Sequence, residues 1–175
     1  GTGDLLICDM EKPVGLAGVM GGLNSEITEK TVNVFLECAV FEPITIRRTA
    51  RRLGMQSEAS YRFERGVDRG LSEFVADRAA ALMAGVAGAV VRPGICKAEP
   101  KALEIKPVRF RTSRAELLLG AKPGENFCRE TLELLGCSVS AGKDEWSVVP
   151  PTYRPDLTRE ADLIEEIGRV YGVER

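Results

Sequence analysis

Gly15-Leu16-Ala17-Gly18-Val19-Met20-Gly21-Gly22-Leu23-Asn24-Ser25 is the stretch on which the fold assignment turns. Its glycines invite comparison with a dinucleotide fingerprint or a phosphate loop. Both motifs need a helix directly after the glycines, and the second also needs Gly-Lys followed by Ser or Thr. Here turn residues follow instead, and then Thr31–Ala39, where Val32, Val34 and Leu36 alternate as on a strand. Two readings of the glycines stay open. They build tight turns and close backbone packing, or they form a pocket wall whose missing side chains admit a ligand ring and expose backbone N–H groups.

Working outward, Asp4–Asp9 and Val14–Ala17 read as short strands joined by a turn at Lys12-Pro13. Pro43 suits a first helical position, and Ile44–Leu53 follows as a basic helix closed by Gly54. A connector, Met55–Ser60, leads to Tyr61-Arg62-Phe63-Glu64-Arg65-Gly66. Leu71–Gly85 has helical periodicity, with Phe74, Ala81, Leu82 and Val86 as candidate core positions. Prolines, glycine and charge over Val91–Ala102 mark a linker. Beyond it come a strand (Leu103–Phe110), two helices (Ser113–Leu119, Glu125–Leu135), two strands (Ser138–Ala141, Glu145–Val149) and a helix from Thr158 to Tyr171. Strands and helices mix without a regular βαβ alternation. The expected class is therefore α+β, with two small mixed α/β domains in tandem over residues 1–97 and 103–175.

Composition narrows the function classes. The 175 residues are 44% hydrophobic, enough for a core, yet no apolar run approaches the roughly 18 residues of a membrane span. The net charge is −2 and divides evenly along the chain, so bulk electrostatic capture of nucleic acid is not expected. Cys8, Cys38, Cys96, Cys128 and Cys137 are odd in number, lack C-x-x-C spacing and have no histidine to accompany them. That pattern excludes a zinc site and a secreted disulfide framework, and predicts buried, reduced thiols in a cytoplasmic protein. The abrupt start, without an initiator Met or a signal peptide, reads as a segment of a longer chain.

Two charged constellations stand out. Arg47, Arg48, Arg51 and Arg52 recur at i, i+4 on the basic helix, giving a cationic face that is either a solvated surface or a phosphate contact. Glu64 between Arg62 and Arg65 reads as part of an internal ion-pair lattice. On the last helix, Asp162, Glu165 and Glu166 share a face, and Asp156 in the preceding turn can reach it, while Leu157, Ala161, Ile164, Gly168 and Tyr171 form an apolar face. Clustered carboxylates suit a hard cation such as Mg²⁺. They equally suit the dipole of a helix N-terminus, and Glu165 can pair with Arg169.

Leu16-Ala-Gly-Val-Met-Gly-Gly22, Asn24-Ser25, Thr31, Val34, Leu36-Glu37, Phe41, Ile46-Arg-Arg-Thr-Ala-Arg-Arg52 and Ala59-Ser-Tyr-Arg-Phe-Glu-Arg-Gly-Val-Asp68 together resemble the editing domain of bacterial phenylalanyl-tRNA synthetase β subunits. Pro155 to Gly172 is similar to the last helix of the domain that follows editing there. The resemblance implies hydrolytic clearance of tyrosine misattached to tRNA(Phe). A synthetic pocket built for Phe cannot strongly reject a ligand that only adds a hydroxyl. Glu37 would accept a hydrogen bond from the phenol. Ala17, Gly18 and Gly21 would line the pocket, with Ser57, more often threonine in the family, and Ala59 opposite. The resemblance places the editing histidine and other polar residues upstream of Gly1, so the first domain is expected to be truncated and no catalytic residue is assigned within the chain. It also implies Mg²⁺ at Asp156, Asp162, Glu165 and Glu166, near the α subunit. The parent would be an (αβ)₂ phenylalanine–tRNA ligase using ATP on α, with tRNA(Phe) and α as partners and neither membrane nor DNA. Arg47, Arg48, Arg51 and Arg52 are the candidate RNA contacts. The rival readings are a non-catalytic RNA-binding or subunit-docking module, and a small metal-dependent hydrolase.

Overall fold

The computed structural model describes residues 2–99, 103–143 and 145–172. The chain forms two compact units, residues 1–97 and 98–175. Each is a small mixed α/β assembly, giving two such domains in tandem. The expected linker residues 100–102 lie outside the described residues.

In the first unit, β1 (Leu6–Cys8), β2 (Pro13–Leu16) and β3 (Met20–Gly21) form an antiparallel sheet in that order. The β1–β2 turn is held by the Asp9 carboxylate, which accepts from the N–H groups of Glu11 (2.8 Å) and Lys12 (2.7 Å). Helix α1 (Pro43–Leu53) starts where Glu42 accepts from the N–H groups of Ile44 and Thr45, and Pro43 fills the first helical position, where no N–H is needed. Gly54 ends it. Helix α1 buries Ile46, Thr49 and Ala50 on one side, and Ile46 and Ala50 cluster with Val19 against Leu16, Phe41, Met55 and Phe63.

Three expectations in this unit need correction. Thr31–Ala39 forms no strand: it joins no sheet, and Val32, Val34, Phe35 and Leu36 are exposed. Alternation marks a chain able to pair, but a strand exists only where a neighbour offers its N–H and C=O groups, and no described residue does so here. The connector after Met55 is partly helical, because Ser57 caps a short helix α2 (Glu58–Phe63). Helix α3 (Ser72–Ala87) forms, but Phe74, Ala81, Leu82 and Val86 are all exposed, since no other described element covers its apolar side.

The second unit has the larger core. Strand order is β4 (Val108–Phe110), β6 (Trp146–Val149), β5 (Ser138–Ala141), all antiparallel. Alternation is strict on β4 and β6: Val108, Phe110, Trp146 and Val148 point inward, Arg109 and Ser147 outward. Phe110 and Trp146 are register partners with rings 5.2 Å apart. Helices α4 (Thr112–Leu119), α5 (Glu125–Leu134) and α6 (Glu160–Tyr171) supply Ala115, Cys128, Leu132, Leu163, Ile164 and Ile167 to the same core. Strand β4 is shorter than the expected Leu103–Phe110. Pro107 has no N–H for the ladder, and in the antiparallel register residues before Val108 would face the end of β6 at Val149 and the Pro150-Pro151 break. The apolar stripe of α6 runs through Leu163, Ile164 and Ile167, and Ala161 is exposed rather than on the buried face.

The thiols divide between the units. Cys128 and Cys137 are buried, whereas Cys8, Cys38 and Cys96 are exposed, contrary to the expectation of five buried thiols. Cys8 lies on the edge strand β1, and Cys38 and Cys96 lie outside any helix or strand. Burial, helped by the charges of Glu116 and Glu125, pushes the Cys128 thiol up to about 11.

Candidate functional site

The glycine-dense stretch is the corner from which the site is built. Gly18 has φ +66°, and a Cβ there would stand 3.0 Å from both Ile46 Cδ1 and Phe41 Cδ2. A Cβ on Gly22 would come within 2.6 Å of the Val14 carbonyl oxygen, which accepts from the Gly22 N–H at 2.8 Å. The Ser25 hydroxyl donates to the same carbonyl (2.7 Å), and the Asn24 side-chain amide donates to the Pro13 carbonyl (3.1 Å). These bonds fold the turn residues back onto β2. Gly18 and Gly22 are thus required by backbone form and packing, while a Cβ on Gly21 would meet nothing within 4 Å. Packing thus accounts for Gly18 and Gly22, while Gly21 faces open space.

A hollow of about 860 Å³ opens beside this corner. Gly15, Gly18 and Gly21 line one side, Ser57 and Ala59 belong to α2 and its cap, and Glu37 enters from the 31–39 segment. Phe41 and Phe63, with ring centroids 5.0 Å apart, add apolar lining. Of the predicted pocket residues, Gly18, Gly21, Glu37, Ser57 and Ala59 meet here. Ala17 does not line the hollow: it is 1% exposed, packed behind the wall, with its N–H donated to the Leu5 carbonyl at 3.0 Å. In the sequence Phe41 and Phe63 are two separate aromatics, 22 positions apart.

Glu37 is exposed as a whole residue, yet loss of water around its carboxyl raises its pKa above the ordinary carboxylate value. A carboxylate short of water is a strong acceptor for an arriving O–H. Ser57 works differently. Its hydroxyl donates to the Val19 carbonyl (2.6 Å) and accepts from the Ser60 N–H (3.1 Å), and its own N–H donates to Ser60 Oγ (2.9 Å). It therefore ties α2 to the glycine corner. With no histidine in the chain, the lining offers shape and hydrogen bonding rather than an imidazole base.

The basic face lies on the other side of α1 from Ile46, Thr49 and Ala50. Arg47, Arg48 and Arg51 are exposed, and Arg52 is held by Asp4, which also accepts from the Thr49 hydroxyl at 2.9 Å. In the neighbouring motif Arg65 pairs with Glu64 (2.7 Å) and lies 3.5 Å from the Tyr61 ring centroid, while Arg62 pairs with Glu58 (3.2 Å).

The second unit gathers its carboxylates around arginines. Asp156 and Glu166 both accept from Arg154, Glu166 also from Arg169, and Asp162 from Arg159. Asp162 further accepts from the backbone N–H groups of Thr158 (3.0 Å) and Arg159 (2.8 Å) at the start of α6. The guanidinium of Arg159, with these N–H groups, holds the Asp162 carboxyl down at about 2. Glu165 is exposed. Among the described residues no group of three or more His, Cys, Asp or Glu side chains is placed to hold a metal ion. As arranged here, Asp156, Asp162, Glu165 and Glu166 do not fit Mg²⁺. No described helix is long and apolar enough to cross a membrane.

Residues 1–88 match the B3/4 domain model, and residues 108–173 match that of the tRNA synthetase B5 domain. The phenylalanine–tRNA ligase β subunit of Oleidesulfovibrio alaskensis is 60% identical over 172 residues, covering 98% of this chain and 22% of its own length. That of Nitratidesulfovibrio vulgaris is 58% identical, covering 99% of this chain and 22% of its own. That of Geobacter sulfurreducens is 45% identical, with the same two coverages. The chain thus spans roughly a fifth of the length of these relatives.

Proposed function

Since the chain belongs to the phenylalanine–tRNA ligase β-subunit family, with a B3/4 domain followed by a B5 domain, we propose that its first unit supplies the phenol-reading half of a site that clears tyrosine from tRNA(Phe). The observation that carries this reading is the meeting of Glu37 with Gly18, Gly21 and Ala59 around one hollow. An aromatic ring fits against a wall without side chains, and the water-poor carboxylate of Glu37 accepts the phenol O–H. Phenylalanine has no such group, so the Glu37 carboxylate gains nothing from it. A site that rewards a hydroxyl can discriminate far more sharply than one that only measures size.

In the whole assembly, an α subunit joins Phe to tRNA(Phe) with ATP and Mg²⁺, and this segment takes part in editing and in contacts with tRNA and α. Arg47, Arg48 and Arg51 present guanidinium groups suited to phosphate oxygens. The near-neutral chain leaves most of the RNA affinity to other parts of the assembly.

The deciding experiment places this segment in a full-length β subunit assembled with α and follows deacylation of Tyr-tRNA(Phe). Glu37→Ala is expected to reduce the rate by one to two orders of magnitude, about 1.5–3 kcal/mol for a lost charge-assisted hydrogen bond, with tRNA binding unchanged. Unchanged deacylation would sink the role of Glu37, and retained tRNA binding without any deacylation by the unaltered protein would leave a docking module.

A further inference from the structure

The carboxylates in and just before α6 already have a cation. Arg154 is held at the backbone by two turns: its N–H donates to the Pro151 carbonyl (3.0 Å), and its carbonyl accepts from Leu157 (3.3 Å). Prolines 151 and 155 stiffen both sides, so the side chain leaves from a fixed point. Its guanidinium meets Asp156 as a fork, Nε to Oδ1 at 3.0 Å and Nη2 to Oδ2 at 2.7 Å. The same Nη2 donates to Glu166 Oε1 at 2.8 Å. Glu166 Oε2 accepts from Arg169 Nε at 3.1 Å, and Asp162 uses Oδ2 on the backbone N–H groups and Oδ1 on Arg159 (2.8 Å). Both oxygens of Asp156, Asp162 and Glu166 are therefore engaged. Glu166 and Asp162 are largely covered, at 13% and 14% side-chain exposure, so they face little competing water.

We propose that Arg154 is the resident cation of this corner, clasping Asp156 and Glu166 together so that the 151–157 segment is fastened to α6 without a divalent metal. The geometry favours a planar fork over a point charge. Mg²⁺ demands near-octahedral oxygens at about 2.1 Å and sheds water reluctantly, whereas a guanidinium bridges two carboxylates lying at different angles. A metal entering here would have to displace Arg154 or sit against its charge. The clasp has a structural product, because it holds Leu157 (4% exposed) in the core between the turn and the helix.

The test uses the 175-residue chain, with unfolding followed by the near-ultraviolet circular dichroism of Trp146. In EDTA and in millimolar MgCl₂ at matched ionic strength, the melting temperature is expected to be the same, and calorimetric titration with MgCl₂ alone is expected to show no saturable heat. Arg154→Met is expected to lower the melting temperature by roughly 5–10 °C. Arg154→Lys, which keeps charge but not the fork, should recover part of that loss, and its melt serves if the methionine variant does not fold. Saturable Mg²⁺ binding by the unaltered chain that Asp162→Asn abolishes would overturn the proposal. So would melting temperatures of both Arg154 variants equal to that of the unaltered chain.

Discussion

At Ser57 one oxygen joins two pieces of the first unit: it receives the Ser60 N–H and gives its own proton to the Val19 carbonyl. Ser57→Ala removes both bonds at once. The expected cost is about 1–2 kcal/mol, measured by chemical denaturation of the first unit, and Ser57→Thr should restore it because threonine keeps the hydroxyl. The sequence carried a signal for half of this. Ser57-Glu-Ala-Ser60 has the spacing of a capped helix start, and the helix begins at Glu58. The other half was illegible, since Ser57 and Val19 are 38 residues apart and nothing local specifies that they meet. Glu37 lies between these cases. Its residue type and its neighbours pointed to a phenol acceptor through family resemblance, but only the fold shows that its carboxyl loses water.

Among the elements, α6 shows how a helix is anchored from both ends of the sequence. Its boundaries and acidic first turn were readable from periodicity and charge. Its attachment was not. Glu160 accepts from the Arg111 backbone N–H (2.9 Å), from Arg111 Nε (3.0 Å) and from Nη2 (2.6 Å), tying the first turn of α6 to the end of β4 across 49 positions. Glu160→Ala strands a half-buried backbone N–H and a guanidinium together. It should destabilise the second unit by about 2 kcal/mol, while Glu165→Ala on the exposed side of the same helix should change stability by less than about 0.5 kcal/mol. Denaturant midpoints of the two variants provide the comparison. The 31–39 segment makes the opposite point about elements. Its alternation is that of a strand, but strand pairing belongs to two segments at once, and no single stretch can declare it.

Over the whole molecule the two units differ in how much they bury. The second has a core of Phe110, Trp146, Leu132, Leu163, Ile167 and their neighbours, whereas the first relies on Val19, Ile46 and Ala50 with partly covered residues around them. Phe110→Ala, at a fully buried position, is expected to cost about 3–5 kcal/mol. The loss should appear as slower-exchanging amides of β4, β6 and β5 becoming fast in hydrogen exchange, with the amides of α1 unaffected. The sequence by itself determined the α+β class, most helix limits, the sheet alternation of the second unit and the residue types that frame the hollow, because period, caps and turn residues act over a few positions. Only the tertiary structure decided which glycines pack and which face open space, which carboxylates arginine claims, and which apolar faces stay uncovered. Those outcomes depend on groups brought together from distant parts of the chain, where partner and solvent, not residue type, set the energy.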